Sequence, residues 1–128
     1  GTWCPNCMDE ARLFGELHKE YGPRGLEVVS LFFESDNFQE SAERIRRFAS
    51  HTDAGFTLLW AGKRGSQRRD SIFHMVEGRM AFPTTLYIDR KGTPRFVETG
   101  FSGPGTGSHY QKTVEDTRHK LEWLLSGE

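Results

Sequence analysis

The sequence predicts a mixed α/β fold, and three observations carry that prediction. Stripes of apolar residues at helical spacing recur over 5–21, 38–51 and 108–125. A nearly continuous apolar run, Leu26-Glu27-Val28-Val29-Ser30-Leu31-Phe32-Phe33, has the character of a parallel strand buried on both faces. A β-rich run ending at Asp89-Arg90-Lys91-Gly92 is followed by Pro94–Gly100, which reads as the returning strand of an antiparallel hairpin.

Taken in order, Pro5 to Tyr21 is a helix with Cys7, Ala11, Phe14, Leu17 and Tyr21 on one stripe, Met8 and Leu13 beside it, and Gly22-Pro23 ending it. The Leu26–Phe33 strand follows. Glu34-Ser35-Asp36-Asn37 is a turn and cap, leading to a second helix with Phe38, Ala42, Ile45 and Ala49 inward, ending near His51. Phe56–Trp60 is a short strand, Ala61–Arg69 a polar loop, and Asp70–Val76 a short helix capped by Asp70. Within it, His74 and Met75 point apart, one exposed and one in the core. Ala81–Asp89 contains a strand with Pro83 at its start, where a missing N–H is tolerated. Gly92 takes the turn position needing positive φ. Ser102–Gly107 is a loop, and Tyr110, Val114, Thr117, Leu121, Leu124 and Leu125 form the inner face of the last helix. The order is α-β-α-(β-α)-β-β-α.

The 128 residues fit one domain, 1–128, large enough to bury a core without staples. A hydrophobic fraction of 35% and a charged fraction of 27% are those of an ordinary water-soluble domain, and ten phenylalanines supply bulk. A net charge of −1 provides no general field toward nucleic acid or anionic lipid. The basic group Lys63, Arg64, Arg68 and Arg69 stands apart; without interleaved aromatics it reads first as a solvated loop, second as a contact for an acidic partner.

The chemistry is concentrated in Gly1-Thr2-Trp3-Cys4-Pro5-Asn6-Cys7, which holds both cysteines of the chain. Residues three apart on a helix have Cβ atoms roughly 5–6 Å apart, within reach of a disulfide. Pro5 suits a first helical position, which puts Cys4 at the cap and Cys7 in the first turn. The helix N-terminus favours a thiolate on Cys4; such settings lower a thiol from near ~8.5 to roughly 3.5–7.5. The pattern is that of a thiol–disulfide exchange centre, with an outer, exposed, reactive sulfur and an inner resolving one. A structural bridge over so short a loop would constrain the unfolded chain little, and no second pair of ligands completes a zinc site. Glu10, one turn after Cys7 on the apolar face, should have a raised pKa. Spacing alone leaves two readings of it open: a proton carrier for the inner thiol, or a side chain that reaches past the stripe to water.

These residues resemble the thioredoxin-like family, in particular its TlpA/ResA-type thiol–disulfide oxidoreductases. The pieces that carry the resemblance are Trp3-Cys4-Pro5-Asn6-Cys7 with Glu10, the Leu26–Phe33 strand, Phe82-Pro83-Thr84-Thr85 with Tyr87-Ile88-Asp89 and Gly92, and Thr99-Gly100-Phe101. The insertion between the second helix and Pro83 fits that subgroup. The resemblance implies a thioredoxin-like fold, a mixed central sheet flanked by helices. It implies catalytic roles for Cys4 as nucleophile, Cys7 as resolving thiol and Glu10 in proton transfer, with a redox disulfide between Cys4 and Cys7. It implies a substrate-binding face of Trp3, Pro5, Phe82 and a cis Pro83, against which a peptide pairs like an added strand. The partners would be a disulfide-containing protein substrate and an upstream dithiol electron donor, with no metal, no organic cofactor and no nucleic acid. The location would be periplasmic or otherwise extracytoplasmic, with a membrane anchor only through residues upstream of Gly1.

One departure stands out. The family carries a central strand immediately before the Trp-Cys motif, between the strands that correspond to Leu26–Phe33 and Thr84–Asp89. Here that strand is missing, which would separate those two by roughly 9–10 Å and leave edges unpaired. The expectation is an N-terminally incomplete domain, or a gap filled by another segment or chain. Three other functional readings remain: a peroxiredoxin-like peroxidase, a non-enzymatic copper or zinc carrier using Cys4, Cys7 and a histidine such as His74, and a redox-silent binding module.

Overall fold

The structure, a computed structural model, describes residues 1–76 and 81–127, without the side chains of residues 66, 68 and 72. Arg68, one of the basic group, therefore falls outside the described side chains. The elements run α1 (Pro5–Tyr21), β1 (Val29–Glu34), α2 (Phe38–Thr52), β2 (Thr57–Lys63), α3 (Ser66–Ile72), β3 (Thr84–Ile88), β4 (Pro94–Thr99) and α4 (Ser108–Leu125), in the predicted order.

α1 is the packing axis. Its expected stripe is buried, and Leu13 and Gly15 join it. One side, through Leu13, Phe14, Leu17 and Tyr21, packs with Tyr87 of β3 and Leu121 of α4. The other side, through Ala11, meets Phe32, Ile45 and Phe48. Gly15 lies where α1 passes the Asp53 carbonyl: a Cβ there would sit 3.1 Å from that oxygen.

α2 begins at Phe38 as expected, capped by Asn37, whose side chain accepts from the Glu40 N–H. Its inner face is Ser41, Ile45, Phe48 and Thr52, a rotation away from the expected Phe38, Ala42, Ile45 and Ala49. The reason is polar as well as apolar. Ser41 is fully buried because its hydroxyl accepts from the Ser35 N–H, and Phe48 sets its edge on Phe32 with centroids 4.9 Å apart. Phe38 is left 57% exposed against Trp60.

β1 and β2 are parallel, from Val29 opposite Thr57 to Glu34 opposite Lys63, with a bulge between Phe32 and Phe33. β3 and β4 are antiparallel, from Thr84 opposite Thr99 to Ile88 opposite Pro94. The fold is thus mixed α/β, but the two pairs form separate two-stranded sheets rather than one central sheet. Residues of both β1 and β3 line one cavity of about 410 Å³, which Phe14, Phe48 and Leu121 also reach. The resemblance expects a further strand between β1 and β3.

Between β2 and β3 the local reading is corrected. β2 continues through Lys63, and the short helix is α3, starting after Gly65 rather than being capped by Asp70. Gly65 itself has φ 145°, which favours glycine there. His74 and Met75 lie in a turn, and both are exposed. Among the described residues, no helix is long and apolar enough to cross a membrane.

Candidate active site

Cys4 is the N-cap of α1, with extended backbone (φ −109°, ψ 111°). Its Sγ accepts the Cys7 N–H at 3.2 Å, filling the role that a serine or aspartate oxygen often plays at a helix start. Pro5 occupies the first turn, where no partner is needed for a proline nitrogen. Both sulfurs are free thiols. The outer sulfur is not exposed, contrary to expectation: Cys4 is 6% and Cys7 9% accessible. Phe82 is the cause on one side, since its carbonyl oxygen accepts from the Cys4 S–H at 3.8 Å. The Phe82 ring is met edge-on by the Trp3 ring at 5.1 Å.

The Phe82-Pro83 bond is cis, as the resemblance implies. The Pro83 carbonyl accepts from the Gly100 N–H at 2.7 Å, tying this loop to the end of β4, and Pro83 is buried. The chain therefore brings Trp3, Cys4, Cys7, Phe82 and Pro83 to one end of α1. Pro5 and Asn6 remain exposed on the outer rim.

Burial pushes the Cys7 thiol up to about 12, and its contact with Cys4 adds to this. Cys7 is thus strongly held as a neutral thiol. Glu10 shares the large cavity with Cys7. Burial pushes its carboxyl up to about 7, against a hydrogen bond from the Thr85 hydroxyl at 3.1 Å, which favours the charged form. The side chain thus lies inward rather than reaching past the stripe to water. Its far side faces a smaller polar cavity of about 180 Å³ lined by Thr85, Glu98 and Thr117. Among the described residues, no group of three or more His, Cys, Asp or Glu side chains is placed to hold a metal ion.

Several contributors escaped the sequence reading. Glu34 looked like a turn residue; it ends β1, nearly buried, and its carboxylate accepts from both the N–H and the hydroxyl of Thr2, holding the approach to Trp3. Trp3 Nε1 donates to the Phe33 carbonyl at 3.1 Å. Thr85 was visible only as part of the Pro-Thr-Thr motif. Arg64 was assigned to a solvated loop, but its guanidinium lies 3.7 Å from the centre of the Trp3 ring.

No protein-family profile matches the chain. By sequence it is 26% identical over 122 residues to the thiol-disulfide oxidoreductase ResA of Geobacillus thermodenitrificans, covering 95% of this chain and 58% of that protein. It is 26% identical over 100 residues to the ResA of Geobacillus kaustophilus, covering 78% of this chain and 51% of that protein. The chain therefore spans little more than half the length of these relatives. In structure it matches a candidate thiol:disulfide interchange protein DsbE from Chlorobium tepidum, with a TM-score of 0.69, 18% identity, and 97% and 74% of the two chains covered. It also matches a candidate thioredoxin from Neisseria meningitidis, with a TM-score of 0.58, 18% identity, and coverages of 90% and 69%. The fold is thioredoxin-like. Within that class the sequence is similar to the ResA-type thiol–disulfide oxidoreductases, as the motifs implied.

Proposed function

We propose that this chain carries out thiol–disulfide exchange and reduces disulfides in a partner protein. The observation that carries the reading is the pair of free thiols at the start of α1, one turn apart, closed over by the cis-Pro83 loop. Cys4 as thiolate attacks one sulfur of the partner disulfide. The partner's S–S bond breaks, its other sulfur leaves as thiolate, and a mixed disulfide forms on Cys4. Cys7 then attacks the Cys4 sulfur and releases the second partner thiol, leaving a Cys4–Cys7 disulfide. Two electrons have passed to the partner. Cys7 holds its proton tightly, so it attacks as that proton departs, and Glu10, balanced near neutrality, is the acceptor. Trp3, Pro5, Phe82 and Pro83 form the face that receives the partner chain. An upstream dithiol protein reopens the Cys4–Cys7 disulfide; no cofactor enters the cycle. The ResA similarity supports an extracytoplasmic site of action.

A Cys7→Ser chain tests this reading. It should accumulate a mixed disulfide on Cys4 with a protein partner, released by dithiothreitol, and Cys4→Ser should accumulate none. Equal trapping by both variants, or by neither, removes the exchange assignment.

A further inference from the structure

Beside the dithiol lies a cationic rim that the exchange chemistry does not use. The stretch 61–76, between the last part of β2 and the loop before Pro83, carries Lys63, Arg64, Arg68 and Arg69 against a single acid, Asp70. Two of these cations sit on the aromatic wall of the site. Arg64 lies over Trp3 with Cζ 3.7 Å from the ring centre, and Arg69 lies 5.8 Å from the centre of Phe82. The rings themselves are fixed, Trp3 by its bond to the Phe33 carbonyl and Phe82 by its edge contacts with Trp3 and Phe33. Arg64 is fixed at its backbone too, donating to the Glu34 carbonyl at 2.9 Å.

The geometry decides what Arg64 can do. A Cζ 3.7 Å from a ring centre is the separation of a guanidinium stacked face to face on an aromatic ring. Lying flat uses its face and leaves the in-plane N–H fork pointing outward, the edge that pairs with carboxylates in bidentate fashion. Arg69 is partly occupied by Asp70 at 3.3 Å. Arg64 is exposed and has no ion-pair partner among the described residues, although eight ion pairs form elsewhere among them.

We propose that the Arg64–Trp3 stack reads an acidic partner: the disulfide that reaches Cys4 is carried on a segment with a glutamate or aspartate close to the reactive cysteine. This rests on the exchange reading and adds to it the class of substrate. The aromatic rings hold the cation in place, so little side-chain freedom is lost when the carboxylate arrives.

The test uses the reduced chain and three short peptides. Each carries one cysteine as a mixed disulfide with thionitrobenzoate, flanked by Glu, Gln or Lys, and the coloured leaving thiol reports the first attack. At about 0.02 M salt the Glu peptide should react about three- to tenfold faster than the Gln peptide. At about 0.5 M salt, where the Debye length is only a few ångströms, that ratio should fall toward one. Arg64→Gln should bring the ratio toward one at low salt, and Arg64→Glu should make the Lys peptide the fastest. A Glu-to-Gln ratio of one or less in the unsubstituted chain overturns the proposal, as does a ratio unchanged in both variants. Should a variant fail to fold, the salt dependence of the unsubstituted chain decides alone. If none of the peptides reacts, the exchange reading itself fails; if the neutral peptide reacts and the acidic one gains nothing, only the acidic-partner proposal fails.

Discussion

Glu10 is the residue at which local placement becomes a measurable property. Its pKa in the folded chain is about 7, above the ordinary 4.5, so the folded chain binds this proton more tightly than the unfolded chain does. The stabilisation linked to Glu10 is therefore complete below pH about 4.5 and is lost as pH rises through about 7. Glu10→Gln, which cannot ionise, should be more stable than the natural chain at pH about 8, by on the order of 2–3 kcal/mol, and nearly equal to it near pH 4. Urea titrations at the two pH values check this; the same difference at both would mean that ionisation of Glu10 is not the cause. The position of this carboxylate was legible, because an acid on an apolar stripe announces itself. Its hydrogen bond to Thr85 was not, because Thr85 comes from a strand far along the chain.

At the scale of elements, α1 and α4 follow their apolar periodicity, while α2 shows its limit. Counting apolar residues selects Phe38, Ala42, Ile45 and Ala49, yet the buried face runs through Ser41, Ile45, Phe48 and Thr52. A serine that satisfies a backbone N–H can be buried at little cost, and the pattern cannot show that in advance. Phe48→Ala should therefore cost about 3–5 kcal/mol, the range for emptying a core aromatic site. Phe38→Ala, on the half-solvated contact with Trp60, should cost about 1 kcal/mol or less. Chemical denaturation of the two variants ranks them; a Phe38 loss as large as the Phe48 loss would restore the periodic face. The loop expected at Ala61–Arg69 errs for a related reason. Its polar residues belong partly to β2 and α3, whose backbone pairing does not depend on side-chain polarity.

For the whole molecule, the division into two sheets has consequences for the backbone. Among the described residues β1 pairs only with β2 and β3 only with β4, and residues of both β1 and β3 line the cavity of about 410 Å³. Amides of β1 should alternate in hydrogen exchange: those bonded into the ladder slow, those directed at the cavity faster by orders of magnitude. The residues of β3 should behave the same way. Residue-resolved exchange measured by nuclear magnetic resonance checks this, and uniform protection along β1 would mean that its free edge is covered. The sequence by itself determined the α/β class, the order of the elements, the two thiols at a helix start and the acid one turn on, because each depends on spacing within a short stretch of chain. Tertiary structure alone decided that the outer sulfur is buried against Phe82, that Trp3 packs on Phe82, that Thr85 meets Glu10, and that Arg64 lies on Trp3. Those contacts join residues distant along the chain, and only the packing of α1 against β1, β3 and the loops at their ends sets which side chains meet.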